Sequence, residues 1–228
     1  MRPRVAGETV LSWPIEWPYP SNHKKTETIL TQNLKFTPEE LDHFYELLDE
    51  SLTAYDCGKL CSPANGGEPL CCSVENAVPM LYREEFAYLS KRTELWHRWK
   101  PKTPVDKKQK KEDETRILIF CECKGVAHCE RGNRSICCRT FPLEPYFDTA
   151  GNFVGLIFMR EFRNKCPLMK RLPDIRQNVI DKHYQFWELM LAKKGDELEL
   201  YKSTSRGWRI SATKRGVKLP ILRPSHLK

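Results

Sequence analysis

The sequence of 228 residues has no hydrophobic run long enough to cross a bilayer. Its longest apolar stretches, residues 117–121 and 153–159, fall far short of the roughly 20 residues that a membrane helix needs. The N-terminal segment contains neither an apolar core nor a small-residue cleavage pattern, so no secretory signal is predicted. We therefore expect a cytoplasmic protein with no membrane partner.

Cysteine is absent from the first 56 and the last 62 residues, so all ten cysteines lie between Cys57 and Cys166. Disulfides are rare in a reducing compartment, which favours metal ligands over a disulfide framework. Buried thiols and redox thiols are the alternatives, but the clustering is dense and no Cys-x2-Cys motif occurs. The cysteines therefore predict binding of zinc or iron, the latter as an ion or as an iron-sulfur cluster.

Hydrophobic patterning predicts an α+β fold, helix-dominated and loop-rich. Thr37, Pro38 and Glu40 form a capping-box pattern, and apolar residues then recur at helical spacing. The predicted helices span residues 38–55, 83–99 and 174–194, with Gly195 ending the third. A buried strand is expected over 116–121, and a short β-hairpin brings Phe147 against residues 153–159. His183, within the third helix, is expected to be an ordinary histidine rather than a ligand.

The expected organisation is a small metal-stapled domain over residues 36–195, preceded by an irregular N-terminal arm over 1–35. Within it, residues 100–114 are almost all polar or charged and are expected to form an exposed loop. Residues 196–228 are expected to form a basic C-terminal tail. From Leu200 onward this tail has eight basic residues and no acidic one, which equals the net charge of +8.

The cysteine spacing is Cys57-x3-Cys61-x9-Cys71-Cys72, followed by Cys121, Cys123, Cys129, the pair Cys137-Cys138, and Cys166. The first group, followed by a helix with Glu85 and Leu89, resembles the first half of the YkgJ-type cysteine-cluster family, which is described as a zinc- or iron-chelating domain. The later segment resembles the second half of that family, most specifically in the run Cys138-Arg139-Thr140-Phe141-Pro142, with Arg134 upstream and Cys166 as the closing cysteine.

The resemblance covers residues 57–170 and implies a ligand set of two quartets. These are Cys57, Cys61, Cys71 and Cys72, and then Cys121, Cys129, Cys138 and Cys166. Cys123 and Cys137 have no counterpart in the family pattern and remain as alternative ligands. Arg139 is expected beside a thiolate cluster, because four thiolates on one zinc ion carry a charge of about −2 that a cation would stabilise.

Three functions follow from these patterns. The first is metal binding through the two cysteine clusters, without catalysis. The second is an iron-sulfur methyltransferase-like enzyme, because some larger proteins with a similar cysteine domain are linked to protein methylation, although no nucleotide-binding glycine loop is present. The third is a nucleic-acid-binding accessory protein, or a binder of acidic proteins, in which Trp208 and the surrounding basic residues of the tail supply stacking and charge.

Overall fold

The computed structural model describes residues 33–74, 76–162 and 165–228. Residues 1–32 of the predicted arm lie outside this part of the chain. The described residues form an α+β fold that is rich in helices and loops, as predicted. The helices are α1 (Pro38–Leu47), α2 (Gly58–Cys61), α3 (Arg83–Leu89), α4 (Pro104–Asp113), α5 (Ile136–Thr140), α6 (Gln177–Leu191) and α7 (Gly195–Arg215). The strands are β1 (Met80–Tyr82), β2 (Trp96–Arg98), β3 (Leu118–Cys123), β4 (Leu143–Phe147) and β5 (Phe153–Phe158).

Helix α1 begins as predicted, with both hydrogen bonds of the capping box between Thr37 and Glu40. The helix ends at Leu47 rather than at residue 55. Its last turn meets the buried guanidinium of Arg139, which donates to the carbonyls of Tyr45 (3.4 Å) and Leu48 (3.5 Å). These carbonyls have no partner within the helix, so the guanidinium satisfies groups that a longer helix would have paired internally.

Strand β3 forms the centre of a three-stranded sheet with the order β1-β3-β2. Both neighbours run antiparallel to β3, and β2 pairs Trp96 with Cys123 and Arg98 with Cys121. The predicted helix over 83–99 is therefore wrong in its second half. Helix α3 stops at Leu89, and the chain turns to add residues 96–98 to the edge of the sheet.

The predicted exposed loop over 100–114 is also wrong, because most of it forms helix α4. Thr103 caps this helix by accepting from the backbone N–H of Asp106 (3.1 Å), whose side chain accepts from the N–H of Thr103 (2.9 Å). The C-terminal end of the helix is tied to the chain at strand β2 by two side-chain bonds. Lys110 donates to the carbonyl of Trp99 (2.5 Å), and Glu114 accepts from Arg98 (2.8 Å).

The predicted hairpin is confirmed: β4 and β5 pair antiparallel, with a register shift after Tyr146. The third predicted helix corresponds to α6, but Gly195 starts a new helix instead of closing the old one. Helix α7 packs on β4 and ends at Arg215, and the C-cap residue Gly216 has a φ of 61°, the left-handed conformation typical of a glycine at this position. Most of the expected basic tail is thus a helix of the domain.

The main core lies between α1, α6 and the two sheets. Edge-to-face aromatic contacts join its parts, with ring centroids 5.1 Å apart both for Phe36 with Phe44 and for Phe44 with Phe186. His183 is fully buried here and neither ring nitrogen has a hydrogen-bond partner among the described residues. It is therefore a packed core residue.

Candidate metal centre

Cys57 and Cys61 lie at the two ends of the single-turn helix α2. The backbone N–H of Leu70 donates to Sγ of Cys61 (3.3 Å), which brings the loop before Cys71 against this helix. Gly58 permits the approach, because a Cβ at this position would lie 2.9 Å from Cγ of Pro69. Gly58 thus allows the loop before Cys71 to pack against helix α2.

Cys71 and Cys72 follow in a 3₁₀ turn, with their Sγ atoms 4.0 Å apart. The hydrogen bond between them lowers the pKa of Cys72 to about 7, and the positive charge of Arg134 acts in the same direction. The same hydrogen bond raises the pKa of Cys71, as do the charges of Cys72, Cys138 and Cys57. This pair is therefore in electrostatic contact with cysteines both before and after it in the chain.

Cys123 ends strand β3, and a loop that begins at Gly125 leads to Cys129. The indole of Trp96, the strand partner of Cys123, donates to the carbonyl of Asn133 (2.8 Å) and fixes the end of this loop to the sheet. Partial burial raises the pKa of Cys129, and the charges of Cys72 and Cys123 raise it further while Arg134 lowers it. The loop therefore places Cys129 near thiols from two other segments.

The short helix α5 carries the adjacent cysteines Cys137 and Cys138. Buried Glu85 accepts from the first N–H of this helix, that of Ile136 (2.7 Å), and burial raises the pKa of this carboxyl group to about 7. Burial also raises the pKa of Cys138, and the charges of Cys137, Cys123 and Cys72 add to this.

Cys137 faces a different environment. Burial raises the pKa of Cys137 to about 11, and the charges that act on it most strongly are the carboxylates of Glu85 and Glu197. Its own charge acts on Cys138, its neighbour in the chain.

Cys166 precedes the 3₁₀ turn Pro167–Lys170 and packs against the core. Burial raises the pKa of Cys166 to about 11, and the charges of Cys57 and Cys61 contribute. Burial likewise raises the pKa of Cys57, together with the charges of Asp56 and Cys61. The closing cysteine therefore lies near the first two, although more than 100 residues separate them in the chain.

Apart from Cys137, whose charge acts on its chain neighbour Cys138, eight thiols are connected by these electrostatic contacts: Cys57, Cys61, Cys71, Cys72, Cys123, Cys129, Cys138 and Cys166. We call this set the thiol cluster. It contains seven of the eight cysteines in the predicted ligand set, and it contains Cys123 where that set has Cys121.

Cys121 lies in the hydrophobic core with no exposed surface. Burial raises the pKa of Cys121 to about 12, and the charges that act on it most strongly are those of Arg98, Glu85 and Glu114, not of another thiol. The structure therefore places Cys121 apart from the cluster. Cys123 sits two residues further on, where the strand ends and the chain leaves the core.

Arg134, rather than Arg139, is the cation at the thiol cluster. Its charge acts on Cys57, Cys72 and Cys129. Arg139 is buried and uses its guanidinium on backbone carbonyls, among them those of Arg134 (2.8 Å) and Gly132 (2.7 Å). It therefore positions the loop that carries Arg134.

Among the described residues, no group of three or more His, Cys, Asp or Glu side chains is arranged as a metal ion requires. The chemistry of the donors nevertheless fits zinc or iron, because all eight are thiols. One spacing also fits. Four sulfurs at about 2.3 Å from a tetrahedral zinc lie about 3.8 Å from one another, and Sγ of Cys71 and Sγ of Cys72 are 4.0 Å apart.

The basic C-terminal segment does not offer the predicted stacking surface. Trp208 is buried with a relative exposure of 2%, and its indole donates to Glu144 (3.2 Å). Arg209 points to the same hairpin, where it donates to the carbonyl of Phe147. The expected combination of an open aromatic face with neighbouring arginines is therefore absent from α7.

Comparison with protein-family models, with curated proteins and with solved structures finds no match to this chain. None of the helices in the described residues has the length and apolar character needed to cross a bilayer.

Proposed function

We propose that this chain binds zinc or iron, either as ions or as an iron-sulfur cluster, through the thiol cluster. The observation that supports the proposal is that thiols from separate segments of the chain act on one another electrostatically, with Sγ of Cys71 and Sγ of Cys72 only 4.0 Å apart. The proposal agrees with the resemblance to the YkgJ-type family in seven of its eight positions. It departs from that resemblance by assigning Cys123 in place of Cys121 as a ligand.

Thiolates are the forms that bind these metals, so binding must displace protons. Burial raises the pKa of Cys57, Cys138 and Cys166, and these thiols are protonated at neutral pH in the metal-free protein. Metal affinity should therefore increase with pH as the proton competitor is removed. The charge of Arg134 stabilises the thiolate forms nearest to it.

A bound zinc ion would hold the cysteine loops together, whereas an iron-sulfur cluster would add the ability to carry an electron. In both cases the role of the chain is to supply thiolates and to hold the loops that carry them. We also propose that the protein works in the cytoplasm, because a reducing environment keeps free thiols available for metal.

The test is purification without oxygen, followed by metal analysis and an absorption spectrum. We expect stoichiometric zinc in a colourless protein, or iron together with visible charge-transfer absorption. A folded protein that contains neither metal, and takes up neither after treatment with a thiol reductant, would refute the proposal.

Two pairs of variants test the assignment of the ligands. Cys123→Ser and Cys138→Ser should lower the metal content, whereas Cys121→Ser and Cys137→Ser should retain it. The members of each pair are neighbours on the same element, so they control for local disturbance of strand β3 and helix α5. Loss of metal in Cys121→Ser with full retention in Cys123→Ser would favour the ligand set that the resemblance implies.

A further inference from the structure

Positive charge is concentrated in two segments of the chain, residues 160–171 and 200–228. Together they contain 13 basic residues and one acidic residue, Glu161. The remainder of the chain contains 25 basic and 29 acidic residues, so the two segments account for more than the whole net charge of +8. Such an asymmetry gives a strong local potential where the charges lie close together in space.

The structure brings parts of these two segments together. A cavity of about 290 Å³ lies between them, lined by Met169 of the first segment and by Arg215 and Lys218 of the second. Arg160 approaches helix α7 at Gly207, where a Cβ atom would lie 3.7 Å from Nη1 of this arginine. We call the exposed cations of this region the basic surface: Arg160, Lys170, Arg206, Lys214, Arg215 and Lys218.

The cations of the basic surface are not matched by acidic side chains. Elsewhere cations pair with carboxylates, as Arg98 does with Glu114 (2.8 Å) and Lys194 with Glu84 (2.6 Å). Within the part of the chain that the structure describes, no side chain of the basic surface except that of Arg215 has a hydrogen bond or an ion pair. This surface therefore presents positive charge that is free to meet an anionic partner.

The side chains around these cations are suited to phosphate groups rather than to an apolar partner. A protein interface has a buried apolar centre, often with aromatic anchors, and a helix that lies in a membrane surface needs a broad apolar face. Near the basic surface, Ile210 and Val217 are exposed large hydrophobic residues, but they are single side chains one at a time. Trp208 is buried and offers no face for base stacking, which favours the backbone of a duplex over a single strand.

The spacing of cations along α7 fits duplex DNA. Arg206 and Lys214 are both exposed and lie eight residues apart on this helix, which corresponds to about 12 Å along its axis. The major groove of DNA is also about 12 Å wide, so the two side chains can reach phosphates on its opposite sides. We propose that the basic surface binds duplex DNA through the phosphate backbone, without reading the base sequence. This inference is independent of the proposed metal binding.

The experiment measures binding of the full-length protein to a fluorescent DNA duplex of about 20 base pairs, by anisotropy, between about 50 and 200 mM salt. The variant Arg206→Gln/Lys214→Gln/Lys218→Gln removes three cations and no side-chain bond among the described residues. Each lost phosphate contact lowers the slope of log affinity against log salt by about 0.9, so the slope should decrease by about 2.7. The unmodified chain should therefore lose about 40-fold more affinity over this salt range than the variant does.

The matched control is Lys91→Gln/Lys107→Gln/Lys111→Gln, which removes the same charge from exposed positions outside the basic surface and should change the slope by less than about 1. An equal decrease in both variants would overturn the proposal, because binding would then depend on net charge alone. Absence of binding by the unmodified chain at about 50 mM salt would also overturn it, as would tighter binding to single-stranded DNA or to phosphatidylserine vesicles.

A second variant guards against misfolding of α7. Lys170→Gln/Lys218→Gln leaves this helix unchanged, because both residues lie outside it, and should lower the slope by about 1.8. Circular dichroism of each variant distinguishes a lost phosphate contact from a lost fold. A slope equal to that of the unmodified chain in this folded double variant would contradict the assignment of these two lysines to the DNA-binding surface.

Discussion

Arg139 is predicted to be among the most costly residues to replace, although it touches no thiol. Its side chain is 1% exposed and donates to three carbonyls of the loop before α5, to two carbonyls at the end of α1, and to Asp49. It also lies over the ring of Tyr45, 4.4 Å from the centroid. One guanidinium therefore joins the first helix to the loop that carries Arg134.

The expected cost of Arg139→Met is about 3–5 kcal/mol of unfolding free energy. Two of its bonds are short, to Gly132 (2.7 Å) and Arg134 (2.8 Å), and bonds to a charged donor contribute about 1.5–3 kcal/mol each. Removing the donor also leaves buried carbonyls without a partner. The desolvation of a buried guanidinium offsets part of this gain, so the bonds cannot simply be summed.

Urea unfolding of metal-free protein at pH 7 measures this cost without a contribution from metal binding. Arg139→Lys should recover only part of the stability, because an ammonium group cannot reach both groups of carbonyls in the way a planar guanidinium does. Asp49→Asn is the matched control. Its carboxylate is 67% exposed, and we expect a change below about 1 kcal/mol. A loss of less than about 1 kcal/mol in Arg139→Met would refute the reasoning.

Three further predictions concern the fold. Burial lowers the pKa of His183 to about 4. Between about pH 6.5 and pH 4 the unfolded protein therefore binds a proton on His183 that the folded protein does not, and the free energy of unfolding should decrease as the pH falls through this range. The loss is about 3 kcal/mol, and His183→Phe should remove that slope in urea unfolding. Burial raises the pKa of Glu144 to about 8. The folded protein therefore keeps a proton that the unfolded protein releases, and the free energy of unfolding decreases as the pH rises towards 8. Glu144→Gln, which keeps an acceptor for Trp208, should therefore unfold at a higher temperature than the unmodified protein at pH 9 but not at pH 5. Thr103→Ala should cost about 1 kcal/mol and speed hydrogen exchange in α4, whereas Thr115→Ala, outside the cap, should leave exchange in α4 unchanged.

Local sequence patterns correctly predicted helix α1, from its capping residues and apolar spacing, and the β4–β5 hairpin, from its turn residues. The apolar stripe of α1 is buried as expected, and the hairpin follows from its turn residues. Helix α4 could have been predicted in the same way. Thr103, Pro104 and Asp106 repeat the arrangement of Thr37, Pro38 and Glu40, but the high charge of the segment suggested a loop instead. Charge density indicates exposure, and an exposed helix satisfies that condition as well as a loop does.

Elements that depend on distant partners could not be read from local patterns. Residues 96–98 continue the helical periodicity of α3, yet they pair with β3 because an edge of the sheet is available. Gly195 is as suitable for ending a helix as for starting one. The buried side chain of Lys194 forms an ion pair with Glu84 (2.6 Å). This pair fixes the junction of α6 and α7 in the core, so that Gly195 begins a new helix.

The choice between Cys121 and Cys123 shows the same limit at the candidate metal centre. Both lie on one strand, two residues apart, and a strand directs such residues to the same face. Only the point at which β3 leaves the core distinguishes a buried thiol from an accessible one. That point depends on the edge strand β2, which the sequence patterns did not predict. Spacing alone therefore could not distinguish the buried thiol of Cys121 from the more accessible thiol of Cys123.

Charge explains why the thiol cluster lies beside Arg134 and not beside Arg139. A zinc ion with four thiolates carries about −2, a charge that a nearby cation would stabilise. The charge of Arg134 acts on Cys57, Cys72 and Cys129. Arg134 is half-buried, whereas Arg139 is committed to backbone carbonyls. Arg139 thus holds the loop in place, and the loop positions Arg134 near the thiols.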